Sequence, residues 1–276
     1  MQLGYNTNGF AFHRLESAIE IIAELGYRAV ALTLDVHHLD PFNCTPADVN
    51  AVAAQLGRLN LACVIETGAR FILDPRRKHR PTLIDEDPSA RIHYLHRAAE
   101  IAQDLGSSVV SYWSGARPED FSGSDDELFQ RLAKQVEQVE TLCRNKGLRA
   151  ALEPEPGMLV ASMADYERLC DLVGFRPGLT LDVGHIKCLE REDPQEYLSR
   201  YRHELYNVQL DDMHPGRHQH LFFGEGSVDF GPVFETLREI GYEGLACVEL
   251  SESSRNAVEV ARLAMAFLQR HLGDPA

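Results

Sequence analysis

The chain has 276 residues, of which 44% are hydrophobic and 25% are charged, and its formal net charge at pH 7 is −15. Such an acidic protein repels a phosphate backbone, so nucleic acid is not an expected partner. Its six cysteines include no CxxC pair, which argues against a zinc–thiolate site and favours reduced thiols in the cytoplasm. No apolar run approaches the roughly 18 residues that a membrane span needs, and Met1–Gly9 does not resemble a signal peptide.

Along the chain, a strand-like run followed by an amphipathic helical stretch recurs eight times. The predicted strands are Gln2–Asn6, Ala29–Leu34, Ala62–Glu66, Ser108–Trp113, Arg149–Glu153, Leu179–Asp182, Tyr206–Leu210 and Leu245–Leu250. The predicted helices are Leu15–Leu25, a helix that follows Thr45, Arg91–Leu105, Asp126–Asn145, Met163–Val173, Pro194–Tyr201, Pro232–Ile240 and Arg255–Leu272. Thr45 before Pro46 is typical of a helix N-cap. Glycine follows several helices, at Gly26, Gly106, Gly147 and Gly241.

This alternation of strands and helices indicates parallel βαβ units. Eight such units in a chain of this length predict an α/β protein with a single (β/α)8 TIM barrel as one domain over residues 1–276. A doubly wound sheet is the alternative architecture. Two long irregular stretches, Ala69–Asp87 and Met213–Gly231, follow predicted strands on the side where barrel active sites lie, which suggests a lid or a substrate clamp.

Polar side chains lie at or just beyond the ends of most predicted strands, and in a barrel these ends converge on one mouth. The residues so placed are Asn6, Glu66, Trp113, Glu153, Asp182, His185, Gln209 and Glu249. The acids Glu153, Asp182 and Glu249 would repel one another, and a divalent cation would remove this cost. With the amide of Gln209 they predict an all-oxygen site for one Mn²⁺ or Mg²⁺ ion, with Co²⁺ or Zn²⁺ as alternatives.

Each of these residues also has a simpler interpretation. A single acid at a strand end is often a helix N-cap or the partner of a nearby base. His185 could bond only a backbone carbonyl, and Trp113 could belong to the core as well as to a pocket wall. Glu155, between two prolines, is interpreted as a loop residue, and His37 and His38 as surface or rim residues. The combination of three acids and one amide at four strand ends, rather than any one residue, favours a metal site.

Four segments carry a resemblance to a known group: LEPEPG, LDVGH, NVQLDDMHPGRHQHLFFGEGSVDF and CVELS. With them the chain resembles, over most of its length, the xylose isomerase-like TIM-barrel superfamily. That superfamily includes sugar epimerases of the tagatose and psicose type, hydroxypyruvate isomerase, inosose dehydratase and endonuclease IV. The resemblance implies that the metal ligands are Glu153, Asp182, Gln209 and Glu249. Gln209 replaces the commoner histidine, as in the hydroxypyruvate isomerase-like branch.

In that superfamily, the positions that match His185 and Arg217 bind substrate, and those that match Glu153 and Glu249 exchange protons with substrate carbon. The resemblance therefore implies a metal-dependent isomerase or epimerase that acts by proton transfer through a metal-bound cis-enediolate. It also implies a sugar, polyol or keto-acid as the substrate, and assembly as a homodimer or homotetramer. Further substrate-contact candidates are Asn6, Glu66 and Trp113.

Three other functions remain open at this point. A dehydratase or decarboxylase of a polyol or keto-sugar could use the same site. An endonuclease IV-like phosphodiesterase fits less well, because Glu66 and Gln209 stand where that branch has histidines and Gly216 stands where it has an aspartate. A non-catalytic sugar-binding barrel is the third alternative, although the complete set of ligands argues against it.

Overall fold

A computed structural model describes residues 1–272 of the chain. Its strands are β1 (Gln2–Asn6), β2 (Ala29–Thr33), β3 (Ala62–Glu66), β4 (Val109–Tyr112), β5 (Arg149–Leu152), β6 (Gly178–Asp182), β7 (Leu205–Leu210), β8 (Asp212–His214), β9 (Arg217–Leu221) and β10 (Leu245–Val248). Its helices are α1 (Leu15–Glu24), α2 (Pro46–Leu59), α3 (Ser89–Asp104), α4 (Asp125–Asn145), α5 (Met163–Val173), α6 (Val183–Leu189), α7 (Pro194–Arg200), α8 (Phe230–Glu239) and α9 (Ala257–Leu272). Short 3-10 helices span Thr7–Phe10 and Ser251–Asn256.

Eight parallel strands close into a barrel in the order β1-β10-β7-β6-β5-β4-β3-β2, with helices between successive barrel strands. The predicted (β/α)8 barrel is therefore confirmed. A doubly wound sheet is wrong, because β1 pairs with both β2 and β10 and so leaves no open edge between the first and last barrel strands. Within residues 1–272, every helix is too short or too polar to span a bilayer.

Burial on both faces explains the apolar character of the barrel strands. All residues of β2 are buried, as expected for a strand that lies between the barrel interior and the surrounding helices. The helices pack one apolar stripe against the barrel. In α1 this stripe consists of Leu15, Ala18, Ile19 and Ile22, which are buried at helical spacing.

Local signals at the helix ends match the sequence predictions. Thr45 accepts a hydrogen bond from the backbone N–H of Asp48, and the Asp48 carboxylate accepts one from the N–H of Thr45 at 2.8 Å. This reciprocal capping box begins α2 and confirms Thr45 as its N-cap. Gly106 and Gly147 close the ends of α3 and α4 with φ of 72° and 71°, which a residue with a side chain rarely adopts.

Helix α6 was not predicted, because its apolar pattern is too short to recognise as a helix. It begins directly at the end of β6. The Asp182 carboxylate caps it by accepting a hydrogen bond from the backbone N–H of His185 at 2.9 Å. This cap places Asp182 and His185 on the same turn at the barrel mouth.

The stretch Met213–Gly231, predicted as irregular, contains part of a β-hairpin formed by the antiparallel strands β8 and β9. Asp212 fixes the segment that follows this hairpin. Its buried carboxylate accepts backbone hydrogen bonds, all at 2.9 Å, from Gly224, Gly226 and Val228. These hydrogen bonds tie the segment after the hairpin back to β8, directly after the end of β7.

Candidate metal and substrate site at the barrel mouth

A cavity of about 170 Å³ opens at the C-terminal ends of the barrel strands. Asn6 ends β1, Glu66 ends β3, and Glu153 and Glu249 directly follow β5 and β10. The full lining is Asn6, Asn8, Thr33, Glu66, Thr67, Gly68, Arg70, Lys78, His79, Trp113, Glu153, Glu155, His185, His218, His220, Glu249 and Ser251. Most of these side chains are polar or charged, which indicates a site for a hydrophilic ligand.

The floor of the cavity contains a carboxylate–amide network. Glu66 Oε1 accepts hydrogen bonds from Asn207 Nδ2 at 2.9 Å and from Gln209 Nε2 at 2.6 Å. When ionised, the Glu66 carboxylate only accepts hydrogen bonds, so it directs the amide nitrogens toward itself and the amide oxygens away. The Oε1 of Gln209 is buried and has no hydrogen-bond partner among residues 1–272. Burial and the negative charge of Glu249 raise the pKa of Glu66 to about 8.

Three more acids lie beside this network. Asp182 and Gln209 are register partners on β6 and β7, so their side chains are neighbours on the same face. Burial, followed by the charges of Glu249 and Glu66, raises the pKa of Glu153 well above its usual value. Burial also raises the pKa of Glu249, whose carboxylate accepts a hydrogen bond from Asn8 Nδ2 at 2.7 Å.

Asp182 is the acid that most readily ionises in this group. Burial opposes ionisation, but the nearby His185 and His220 outweigh it and lower the pKa of Asp182. Its Oδ1 is occupied by the α6 cap, whereas its Oδ2 has no hydrogen-bond partner in the described part of the chain. Asp182 therefore presents one free carboxylate oxygen toward the cluster.

His185 presents a free ring nitrogen to the same place. Its Nδ1 lies 3.3 Å from the carbonyl oxygen of Pro154 and 3.6 Å from Glu153 Oε1. Burial lowers the pKa of His185 to about 4, so the ring is neutral. Nδ1–H therefore donates to Pro154, and the lone pair stays on Nε2, which has no partner within residues 1–272. Ligand atoms of Glu153, Asp182 and His185 all lie within 4.8 Å of one another.

A second polar pair, not predicted from the sequence, borders this cluster. Asp211 follows β7, is fully buried, and accepts a hydrogen bond from His220 Nδ1 at 2.5 Å. Burial disfavours a charged imidazole, but the Asp211 carboxylate raises the pKa of His220 to about 10. Gly184 has no side chain, which allows Asp211 to approach the start of α6 closely. His218, two residues before His220 on β9, lies with its ring centroid 5.0 Å from that of His185.

The structure assembles most of the predicted residues. Asn6, Glu66, Trp113, Glu153, His185 and Glu249 line the cavity, and Asp182 and Gln209 are buried beneath it. Arg217 is exposed on β9 and lies outside the lining, and its contact with substrate stays a prediction. Strand alternation turns His218 and His220 toward the mouth and Arg217 away from it.

Two residues are placed differently from their sequence interpretation. Glu155, treated as a loop residue, lies in a loop but lines the cavity, and burial together with the charge of Glu249 raises its pKa to about 7. His38, treated as a surface or rim residue, is buried, with Nε2 3.1 Å from the carbonyl oxygen of His13. That interpretation of His38 is wrong, because its ring is buried against the backbone at His13.

The donor set fits a divalent cation. Asp182 Oδ2, His185 Nε2, Gln209 Oε1 and Asp211 Oδ1 are all buried acceptors without a hydrogen-bond partner in the described chain. Buried lone pairs without a donor are costly, and clustered carboxylates repel one another. A cation bound among these atoms would remove both costs.

The fold and this cavity together define a (β/α)8 barrel with a carboxylate-rich site at the C-terminal ends of its strands. The family model described as the xylose isomerase-like TIM barrel matches residues 19–271. The chain therefore belongs to the xylose isomerase-like TIM-barrel family.

Its relatives include both epimerases and dehydratases. Inosose dehydratase of Lacticaseibacillus casei is 25% identical over 230 residues, which cover 76% of this chain and 72% of that protein. L-ribulose-5-phosphate 3-epimerase of Salmonella paratyphi B is 26% identical over 239 residues, which cover 80% of this chain and 82% of that protein. A crystal structure of the IOLI protein with a bound zinc atom has a TM-score of 0.78 at 17% identity, covering 99% of this chain and 98% of that chain.

Proposed function

We propose that this protein is a divalent-metal-dependent isomerase or epimerase that moves a proton on the carbon skeleton of a sugar or keto-acid. The observation that carries the proposal is the pair Glu153 and Glu249, a buried and a half-buried acid with raised pKa values in one cavity that also lies above the unpartnered oxygens of Asp182 and Gln209. The epimerase and dehydratase among the relatives support a reaction at carbon adjacent to a carbonyl.

Four oxygen-bearing side chains would hold the metal: Glu153, Asp182, Gln209 and Glu249. When bound there, a divalent ion supplies Lewis acidity toward substrate oxygens. The oxygen donors suit Mn²⁺ or Mg²⁺. The free Nε2 of His185 also admits Zn²⁺ or Co²⁺, and the zinc in the IOLI structure supports this wider choice.

The two glutamates are suited to transfer protons. They follow β5 and β10, which are three positions apart in the closed ring of eight strands, so they reach the cavity from different sides. A general acid or base works best with a pKa near the working pH, and burial shifts both glutamates in that direction. One glutamate can take a proton from a carbon next to a carbonyl. Return to the neighbouring carbon gives an isomer, and return to the opposite face of the same carbon gives an epimer.

The remaining lining residues orient the substrate. Asn8 holds the Glu249 carboxylate through its 2.7 Å hydrogen bond, and Trp113 forms a wall of the cavity. His185, fixed by the Pro154 carbonyl, would contact a substrate oxygen if it does not ligate the metal. Loss of a hydroxyl next to the abstracted proton would give a dehydratase on the same residues, and the dehydratase relative supports this as the second candidate.

Deuterium exchange tests the proposal. The protein is incubated with Mn²⁺ in heavy water with a panel of ketoses, polyols and keto-acids, and each compound is analysed by NMR and mass spectrometry. We expect deuterium at one carbon of one substrate class, and loss of this exchange in Glu153→Gln and Glu249→Gln. Glu235→Gln, an exposed change on α8, is the matched control and should keep full exchange. Exchange that survives in both site variants would refute the proposed roles, and ligand binding without any exchange would indicate a non-catalytic barrel.

A further inference from the structure

The loop between β3 and α3, residues 67–88, contains a strongly basic segment in a chain of net charge −15. Its segment Arg76–Arg80 reads RRKHR. Lys78 and His79 line the barrel cavity, whereas Arg77 and Arg80 line an adjoining cleft. The loop therefore places positive charge at the mouth, across from the acidic floor.

A buried arginine fixes the conformation of this loop. Arg91 of α3 is 3% exposed and donates hydrogen bonds to the carbonyl oxygens of Thr67 at 3.2 Å, His79 at 2.7 Å and Pro81 at 3.0 Å. Its guanidinium also lies 4.7 Å from the centre of the Trp113 ring. The His79 ring packs on the same tryptophan at 5.2 Å. These contacts give the loop a defined conformation over the cavity.

The cations on this side of the cavity are incompletely neutralised. Arg70 forms an ion pair with Asp35, 3.3 Å between Nε and Oδ2, and its side chain is 28% exposed. The backbone N–H of His79 donates to the Arg70 carbonyl at 2.6 Å, so both residues stay on the same side. Lys78 makes no ion pair and no hydrogen bond in the part of the chain that the structure describes.

The His79 ring adds no positive charge to this side of the cavity. Burial, followed by the charges of Lys78, Arg91 and Arg70, lowers the pKa of His79 to about 3. Arg70 and Lys78 are the arginine and lysine side chains of the lining, and both come from the loop between β3 and α3.

We infer that the cavity accepts a substrate that carries a terminal anionic group, a phosphate or a carboxylate, and that Lys78 with Arg70 binds this group at the end away from Glu153 and Asp182. This inference rests on the proposed function, because the other end of the substrate is the carbonyl end that faces the acids. Ammonium and guanidinium groups form charge-assisted hydrogen bonds with both anions, so the two share one recognition chemistry. The specificity-determining residue is Lys78.

Trp113 is the only tryptophan of the chain and lies under the loop, so its fluorescence reports ligand binding. The intact protein in Mg²⁺ buffer is titrated with xylitol, xylulose 5-phosphate and xylonate, which are a neutral, a phosphorylated and a carboxylated five-carbon compound. We expect at least one anionic compound to bind roughly tenfold tighter than xylitol. The tighter of the two anions identifies the group that the loop recognises.

Two variants in the same titration distinguish a specific contact of Lys78 with the anion from a general effect of the loop's positive charge. Lys78→Gln should remove most of the preference for the anion, roughly a tenfold loss, without changing xylitol binding. Arg77→Gln removes the same charge one residue away, from an exposed side chain paired with Asp74, and should keep the preference. Equal affinity for all three compounds, no binding of either anion, or equal effects of the two variants would overturn the inference.

The outcome can be distinguished from failure of the proposed function. Glu153→Gln should abolish deuterium exchange and leave the anion preference in the fluorescence titration intact. If the unmodified protein prefers the anion but exchanges no deuterium, the proposed proton transfer is refuted and the anion site is not. If neutral sugars exchange deuterium and no anion is preferred, the role of Lys78 is refuted and the proposed proton transfer is not.

Discussion

Gln209 on β7 donates a hydrogen bond through Nε2 to Glu66 Oε1 on β3, 2.6 Å away across the barrel interior. This contact determines which end of the amide faces the candidate metal site. The amide oxygen is left without a partner among residues 1–272, and in the proposed site it would be the fourth oxygen ligand with Glu153, Asp182 and Glu249. Glu66, which the sequence suggested as a substrate contact, therefore also acts as a positioning residue for the amide.

Glu66→Gln tests this positioning. An amide at position 66 can donate toward Gln209 as well as accept, so it no longer fixes the direction of the Gln209 oxygen, and metal affinity should fall about 10–100-fold, as for other residues that orient ligands. The measurement is a titration with Mn²⁺ followed by electron paramagnetic resonance of the free ion. Glu235→Gln on α8 should leave the affinity unchanged. An affinity for Mn²⁺ in the Glu66→Gln variant equal to that of the unmodified protein would contradict the role.

Asp182→Asn separates the structural and the ligand role of this residue. Asparagine is as good an N-cap as aspartate, so the start of α6 should persist. The charge that would hold the metal is lost, and a ligand that binds only the native state stabilises it by mass action. We expect excess Mn²⁺ to raise the melting temperature of the unmodified protein and to leave that of the Asp182→Asn variant unchanged. A similar increase in both proteins would remove Asp182 from the ligand set.

The metal-free protein should lose stability as the pH rises from 6.5 to 8. Glu66 and Glu155, with folded-state pKa values of about 8 and about 7, keep protons that the unfolded chain has already released above its pKa near 4.5. The unfolded state then binds fewer protons, so the free energy of unfolding falls by up to about 1.4 kcal/mol per pH unit for each group. His185, whose pKa is about 4, titrates below this window.

Urea unfolding in the presence of EDTA at several pH values measures this slope. Glu155→Gln removes one of the titrating groups and should flatten the dependence between pH 6.5 and 7. Glu235→Gln, at an exposed position, should retain it. Stability that rises with pH in this window would show that the acids ionise freely in the folded state.

Asp212→Ala should destabilise the mouth. The buried carboxylate accepts three backbone hydrogen bonds, from Gly224, Gly226 and Val228, and its removal leaves these donors unsatisfied. The expected decrease in the free energy of unfolding is about 2–4 kcal/mol, and chemical denaturation measures it. Glu225→Ala in the same segment removes an exposed carboxylate and is the comparison. If both variants lose the same small amount, Asp212 does not organise the segment.

Much of the barrel could be predicted from the sequence because its signals are local. Apolar runs, an N-cap at Thr45 and glycines after helices each involve a few neighbouring residues. The positions of Glu153 and Glu249 at the mouth followed from the strand ends alone, since a parallel barrel brings those ends together. Their roles as ligands and proton carriers stay predictions.

Other features of the site depend on long-range contacts that no local pattern records. The bond between Glu66 and Gln209 joins residues 143 positions apart. His218 and His220 face the mouth only because β9 alternates within a hairpin, and the alternation in RHQH was the one signal that could have identified them. The basic loop was predicted as a possible lid, but its attachment to Arg91 and Trp113 requires the folded structure.

Anomalous scattering from crystals soaked in Mn²⁺ tests the central claim most directly. Data collected on both sides of the manganese absorption edge locate the ion without reference to activity. We predict one strong peak within coordination distance of Glu153, Asp182, Gln209 and Glu249. No peak at the barrel mouth, or a peak held by His220 and distant from those four residues, would contradict the proposed site.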